Sequence, residues 1–458
     1  MSTTVSVKTI KRLLIANRGE VVCRVVKACR DLGIETTAVF SDADKGSYYT
    51  RLADQALHIG PSNPMKSYLN VEAIIEAGKQ AGVDAVHPGY GFLSENHALA
   101  EAVMANGMVW VGPLPQVLKT LESKCYCRQV ADREDVPVNP GTLMPIEGIE
   151  DVHAFAAEHG YPVFLKLDKG GGGKGIEMVK EQGQVSAVFD RVSRIGKVAF
   201  GSSDVYIEKV LKNPRHIEVQ FLADAFGHSL CLGERECSIQ RRHQKIIEES
   251  PSPVVSERDR QELFRYTVRL VKAMHYQGAG TMEFLRAEGG GFYFMEINAR
   301  LQVEHPVTEF LTGIDIVKAQ IEIASGKALG LDQGQIEMKG HAMEARVYAE
   351  DPLTFQPSPG TIRKLRLPQT NAHLRIDHAL EENGVVPPYY DPLLAKVISW
   401  GLNRQEARGL LIEALGSIEI EGVKTTIPSN IFILKSEEFQ EGAFDTCFIE
   451  RLSGATTH

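Results

Sequence analysis

Apolar and polar positions change period several times along this chain, and the changes mark its elements. Leu13–Ala16 is an unbroken apolar run of strand length. From Glu20 the apolar positions Val22, Val25, Val26, Cys29 and Leu32 recur at three- and four-residue spacing. That predicts an amphipathic helix over Glu20–Leu32 with Gly33 as its stop. Thr36–Phe40 returns to strand character, completing a β-α-β unit of the mononucleotide type. Its turn, Asn17-Arg18-Gly19-Glu20, lacks the glycine-rich dinucleotide fingerprint, so dinucleotide binding is not expected there. Strand-like runs at Ala85–His87 and Val109–Gly112 extend the expectation to an open parallel sheet over about the first 120 residues. The turn formers of Pro137–Pro145 predict a hinge into a separate lobe. From about Lys339 the pattern becomes short alternating strands broken by proline, and Ser453–His458 is a polar tail.

Two glycine-punctuated hairpins stand between these regions. The run GGGGKG from Gly170 to Gly175 superficially satisfies both a P-loop and a dinucleotide pattern. Neither context holds: Gly175 occupies the place of the Walker Ser or Thr, and Ile176–Val179 reads as a strand where a helix is required. With Pro162–Leu167 also strand-like, the loop is the tip of a hairpin. Its backbone N–H groups can close over phosphates because no side chain intervenes, and Lys166 can add a point charge. A surface hairpin without ligand fits the loop alone equally well.

The second hairpin joins Thr281–Arg286 to Phe292–Asn298 through a Gly-rich turn. Symmetric pairing sets Glu283 opposite Glu296, among the apolar neighbours Phe284, Phe294 and Ile297. Facing, desolvated carboxylates repel unless a cation neutralises them, and oxygen ligands favour magnesium or manganese over zinc. Asn298 falls on the same strand face as Glu296. If the backbone stays extended to Pro306, that face continues as Arg300, Gln302 and Glu304. A solvated polar strand edge is the alternative. A further cluster, Arg235 through Lys245, includes Gln240, Arg241, Arg242, His243 and Gln244, and by itself reads as a basic surface patch.

Composition narrows the class. A chain of 458 residues exceeds one core, so two to four domains are expected. The net charge of −9 disfavours nucleic acid as a partner without excluding a small phosphate compound. Seven cysteines without paired zinc spacing fit reduced packing thiols. No apolar stretch approaches the roughly 20 residues of a membrane span, and no signal peptide is evident. A cytoplasmic or equivalent reducing compartment is expected.

The strings IANRGE, HPGYGFLSEN, PRHIEVQ, CSIQRRHQK, EINARLQVEHPVTE, GHAMEARVYAEDP and PPYYD, in order from about residue 10 to 450, resemble those of biotin carboxylases of the ATP-grasp superfamily. The resemblance implies an N-terminal open parallel α/β (pre-ATP-grasp) domain at 1–120. It implies an ATP-grasp domain at 121–335 with a mobile glycine-loop lid at about 137–212, and a C-terminal, mostly antiparallel β domain at 336–450. It further implies that Lys124 and Lys166 contact ATP phosphates under the loop glycines Gly171, Gly172 and Gly173. Glu208, Lys209 and Leu211 would border the adenine, with His216 and Gln240 near the ribose or base and His243 in the same ATP group. Glu283, Glu296 and Asn298 would hold two magnesium or manganese ions. Arg300, Gln302, the backbone of Val303 and Lys245 would hold bicarbonate. Glu304 would be the general base, Lys245 would bind carboxyphosphate, and Arg346 would steady the biotin enolate.

One segment departs from the family pattern. Leu167, Asp168 and Lys169 stand where Ala-Ser-Gly or a close relative is usual, and Lys174 replaces the usual Arg. A working lid with altered ATP affinity is expected, because Lys keeps the charge but loses the bidentate fork. No Ala-Met-Lys-Met biotin-attachment sequence is present, so biotin is expected on a separate carrier protein, with the carboxyltransferase on another chain and a homodimer as the assembly. Two rival readings are another ATP-grasp ligase, of the carbamoyl-phosphate-synthetase kind, and a non-catalytic nucleotide-binding subunit of a carboxylase complex. The first does not need Lys245, Arg346 and PPYYD together; the second does not need the metal ligands and Glu304. The final carboxyl acceptor, whether acetyl-CoA, another acyl-CoA, pyruvate or another 2-oxo acid, is not written in this chain.

Overall fold

The computed structural model describes residues 7–170 and 175–452. Apolar runs near the N-terminus form β1 (Arg12–Ile15), β2 (Glu35–Phe40), β3 (Gln55–His58), β4 (Ala85–His87) and β5 (Val109–Trp110). They pair in the order β3-β2-β1-β4-β5, all parallel, as the β-α-β opening requires. Helix α1 (Glu20–Asp31) buries Val21, Val22, Val25, Val26 and Cys29 on one face. The chain leaves it through Gly33 at φ +69°, a left-handed conformation that glycine adopts without a Cβ penalty.

A second, three-stranded sheet has the order β7-β6-β8, from β6 (Val163–Leu167), β7 (Ile176–Val179) and β8 (Val205–Lys209). The glycine-loop hairpin is therefore β6–β7, antiparallel as expected. Its tip, Gly171 to Lys174, lies outside the described residues. This lobe has its own core, built from Val152, Val163, Leu165, Leu167, Val188, Val192 and Ile207 among others. Leu167 is part of that core and packs across the neck of the hairpin. A Cβ on Gly175, already at φ +77°, would lie 2.2 Å from Leu167 Cδ1.

The third sheet is the frame of the molecule. Its strands are β9 (Arg215–Ala223), β10 (Ser229–Arg241), β11 (Gln244–Ser250), β12 (Gly278–Arg286), β13 (Phe292–Asn298), β14 (His341–Tyr348), β17 (Leu374–His378) and β19 (Leu393–Gly401). They run antiparallel in the order β13-β12-β9-β10-β11-β14-β19-β17. Segments beyond Lys339 thus continue the same sheet that carries the carboxylate hairpin. Two small ribbons, β15 (Gly360–Thr361) with β18 (Val385–Val386) and β16 (Lys364–Arg366) with β20 (Glu419–Glu421), complete the C-terminal part. One apolar core runs from the N-terminal sheet (Leu14, Val39, Trp110) through the helical residues Leu118 and Val130 to the frame (Phe221, Phe284, Phe294). The seven cysteines are free thiols, and no described helix is long and apolar enough to cross a membrane.

Candidate active site

Strand register assembles the charged centre. Glu283 of β12 stands opposite Glu296 of β13, and Thr281 opposite Asn298, as expected, but not by symmetric closure: a β-bulge at Met295 shifts the register between Phe284 and Glu283. On its other edge β12 sets Glu283 opposite Glu218 of β9, and β9 sets Glu218 opposite Arg235 of β10. Residues opposite one another share a sheet face, so Arg235, Glu218, Glu283 and Glu296 form one row across four strands. Three of these are carboxylates in succession. Such a row persists only with compensating positive charge, and the chain supplies it from several sides.

Lys245 is the central cation. Its Nζ donates to Glu218 Oε2 and Glu304 Oε1 at 2.7 Å each, and to Glu283 Oε1 at 3.1 Å. Arg235 donates through Nε to Glu218 and through Nη1 to Gln220 and Thr308, both 2.9 Å. Lys124, at the start of helix α2 (Lys124–Arg133), is paired with Glu296. His216 Nε2 lies 3.1 Å from Glu283 Oε2, a charge contact at the carboxylate row. Burial lowers the His216 imidazole, but Glu283 outweighs it and the net direction is upward.

Glu304 is fully buried between Lys245 and Arg346, whose Nη2 donates to Glu304 Oε2 at 2.9 Å. Burial alone would raise its carboxyl; Lys245, Arg346 and Arg235 reverse this and hold it well below the ordinary value. Arg346 also reaches Glu248 Oε1 at 2.6 Å. Burial pushes Glu248 up to about 7 despite Arg346. Beside it across the strand pair is Glu344, fully buried with neither carboxylate oxygen hydrogen-bonded among the described residues, and pushed well above its ordinary value by burial.

The extended face expected from Glu296 to Glu304 is corrected at its far end. β13 stops at Asn298, and Glu304 is the residue before helix α3 (His305–Thr312), with Pro306 in that helix's first turn. Pro306 therefore opens a helix, where a missing N–H costs nothing, and does not end a strand. The polar side chains converge nevertheless. Arg300 donates to Gln302 Oε1 at 2.7 Å, to Asn298 Oδ1 at 3.1 Å and to Glu95 Oε2 at 3.0 Å. Gln302 Nε2 stands 3.5 Å from Glu283 Oε1. The carbonyl of Val303 accepts from Lys396 at 3.0 Å, so an anion would meet this residue through its N–H.

Candidate nucleotide groups gather at the second sheet. Lys166 of β6 pairs with Glu208 of β8, and Arg128 of α2 donates to the other Glu208 oxygen at 2.8 Å. Lys209 donates to Gly160 O at 2.8 Å, and Leu211 follows half-buried. Gln240 and His243 flank the β10–β11 turn, with Gln240 half-buried and opposite Lys245. Desolvation, Lys166 and His216 push the His243 imidazole down, placing it between the two groups of residues. The Arg235–Lys245 segment is thus not a surface patch as a whole: Arg235 and Lys245 are buried, and Arg242 and His243 are exposed at the turn.

Sequence reasoning did not single out Glu218, Arg128, Glu248, Glu344, Lys396 and Glu95. Arg128, Glu248 and Lys396 take part through pairing or packing between distant segments, which no local pattern records. Glu95, Glu218 and Glu344 lie inside HPGYGFLSEN, PRHIEVQ and GHAMEARVYAEDP, so polar residues embedded in those strings were the available signal.

Three family profiles match this chain: "Biotin carboxylase, N-terminal domain" over residues 9–118, "Carbamoyl-phosphate synthase L chain, ATP binding domain" over 123–332, and "Biotin carboxylase C-terminal domain" over 344–451. Biotin carboxylase 1 of Bacillus subtilis is 45% identical over 96% of this chain and 98% of its own. The small subunit of 2-oxoglutarate carboxylase from Hydrogenobacter thermophilus is 41% identical over 96% of this chain and 93% of its own. Among solved structures, the biotin carboxylase domain dimer of that same Hydrogenobacter thermophilus carboxylase, in complex with MgADP, ADP and bicarbonate, superimposes with a TM-score of 0.94. It is 40% identical, covering 98% of this chain and 99% of that one.

Proposed function

The chain belongs to the biotin carboxylase family, and with that as premise we propose how its residues carry out the ATP- and bicarbonate-dependent carboxylation of biotin. The observation that supports the scheme is the carboxylate row Glu218–Glu283–Glu296 facing the Lys245–Glu304–Arg346 cluster.

ATP is held by Lys124 and Lys166 at its phosphates and by Glu208, Lys209, Leu211, His216, Gln240 and His243 around the nucleoside. Gly171, Gly172 and Gly173 cover the phosphates. Segment 137–212 acts as the lid, and its separate apolar core supports movement as one body. Glu283, Glu296 and Asn298 fit magnesium or manganese, since all offer hard oxygen donors and their row already requires cations, here Lys124, Lys245 and His216. Two such ions would neutralise the phosphate oxygens during transfer.

Bicarbonate lies against Arg300, Gln302, the Val303 N–H and Lys245. Glu304 accepts its proton as a bicarbonate oxygen bonds to the γ-phosphorus and the bond to ADP breaks, giving carboxyphosphate and ADP. Lys245 holds that anion while it separates into CO2 and phosphate. The phosphate so released, a strong base, takes the proton of biotin's ureido nitrogen, which then bonds to CO2 to give carboxybiotin, with Arg346 balancing the charge on the ureido oxygen. An anion that draws Lys245 away from Glu304 removes the main charge keeping that carboxyl weakly basic. Base strength therefore rises when bicarbonate is seated.

Biotin arrives on a carrier protein on a separate chain, a carboxyltransferase on a further chain uses the carboxybiotin, and this chain pairs as a homodimer. The likeness to components of more than one carboxylase supports this arrangement and leaves the acceptor to the transferase. Bicarbonate-dependent ADP release, measured with and without free biotin, tests the function: biotin should accelerate it, and no acceleration would overturn the reading.

A further inference from the structure

We propose that Asp168 is a positioning residue for ATP turnover, acting by fixing Lys124 through the two peptide groups on either side of its Cα. The carbonyl of Asp168 accepts the N–H of Lys124 at 3.1 Å. Its carboxylate Oδ1 accepts the N–H of Cys125 at 2.7 Å and the hydroxyl of Ser123 at 2.9 Å. Ser123 is itself the cap of α2, accepting from Tyr126 N at 3.0 Å. Asp168 is buried, and its own N–H donates to Asp204 O at 2.9 Å, the residue before β8. One side chain therefore joins the end of β6 to the first turn of α2.

The consequence is geometric. Lys166 lies two residues before Asp168, and Lys124 is held by Asp168 at both flanking peptides, so the two phosphate-directed lysines share one anchor. The same helix is gripped further along by Arg128, which donates to Glu208 Oε1 at 2.8 Å, Asn139 O at 2.7 Å and Thr142 O at 3.2 Å. α2 is thus joined by hydrogen bonds at two places along its length, to the root of the β6–β7 hairpin and to β8, and Lys124 reaches Glu296 from that anchored first turn. Loss of the carboxylate frees two N-terminal hydrogen-bonding groups of α2 and lets the first turn loosen. A displacement of this lysine by a fraction of an ångström weakens its hold on phosphate without removing its charge.

This inference rests on Lys124 contacting ATP, so the test separates the two. The KM for ATP and kcat of bicarbonate-dependent ADP release are measured for the full chain carrying Asp168→Ala, Asp168→Asn, Lys124→Gln and the double change Asp168→Ala with Lys124→Gln. Asp168→Ala should raise the KM for ATP on the order of tenfold. Asp168→Asn, which keeps the accepting oxygen, should stay near wild type, and Asp168→Ala should add less than about twofold once Lys124 is Gln. If Asp168→Ala does not fold, Asp168→Ser, with an oxygen of shorter reach, takes its place under the same expectations. An unchanged KM in the folded variant, or the same factor in both backgrounds, overturns the proposal while leaving Lys124 as an ATP residue. An unchanged KM in Lys124→Gln overturns the ATP assignment of Lys124 and this inference with it.

Discussion

Glu304, the proposed base for bicarbonate, is tuned by the cations placed around it. Burial raises its carboxyl, and Lys245, Arg346 and Arg235 reverse this and hold it well below the ordinary value. Glu304→Gln keeps the shape and the acceptor but cannot take a proton. It should lower kcat for bicarbonate-dependent ADP release by about a hundredfold or more, with the Kd for ADP unchanged by calorimetry. Glu248 tests the opposite environment. Burial, opposed by Arg346 and reinforced by Glu304, raises it from 4.5 to about 7. Lys245 also lowers it from the same side, and Glu344, itself raised by burial, faces it across the strand pair. A carboxyl raised on folding contributes stability that is full below its unfolded value, declines from about pH 4.5 upward, and is lost above about pH 7. Glu248→Gln should remove that decline, up to about 1.4 kcal/mol per pH unit, as read from urea unfolding of both proteins between pH 5 and 8.

At the scale of elements, the β12–β13 hairpin brings Glu283 and Glu296, the proposed metal ligands, opposite one another. The hairpin was legible in the sequence because its turn is local, but equal counts back from the Gly-rich turn put Glu283 opposite Met295; a β-bulge with Met295 as the extra residue shifts the pairing to Glu296. Glu296→Gln removes one oxygen charge and leaves Lys124 without its partner. It should raise the magnesium concentration for half-maximal ADP release on the order of tenfold or more. The β6–β7 hairpin was legible for the same reason, and its departures acquire reasons from contacts. Leu167 fills the lobe's core, Asp168 caps a helix far off in sequence, and Lys169 is exposed. What local pattern missed was the end of β13. Alternating polar residues after Asn298 mimic a strand, yet their side chains meet through a turn into α3.

Across the whole molecule, ionic contacts buried between segments fasten the N-terminal unit to the frame. Lys396 of β19 is fully buried, 3.3 Å from Glu20 of α1 and 3.5 Å from Asp377 of β17, and it also holds the Val303 carbonyl. Arg24 of α1 reaches Glu309 of α3 at 2.7 Å, and Arg375 reaches the other Glu309 oxygen at 2.6 Å. Removing one partner of such a cluster strands buried charge. Lys396→Met should cost about 3 kcal/mol of unfolding free energy by chemical denaturation. It should also raise the KM for bicarbonate, because the turn carrying Val303 loses its tether.

The sequence alone determined the parallel β-α-β opening, both hairpins, and the family resemblance that distributes roles among Lys124, Lys245, Arg300, Glu304 and Arg346. Each depends on period, on a turn, or on a contiguous string, and all of these are local. Tertiary structure decided that Glu218 extends the carboxylate row, that Lys245 compensates three carboxylates at once, and that Asp168 holds Lys124. Those contacts join segments 27 to 59 residues apart around Lys245 and 43 apart at Asp168. Their register comes from the packing of whole strands and helices, whose buried charges leave few other arrangements stable, and no short window of sequence carries it.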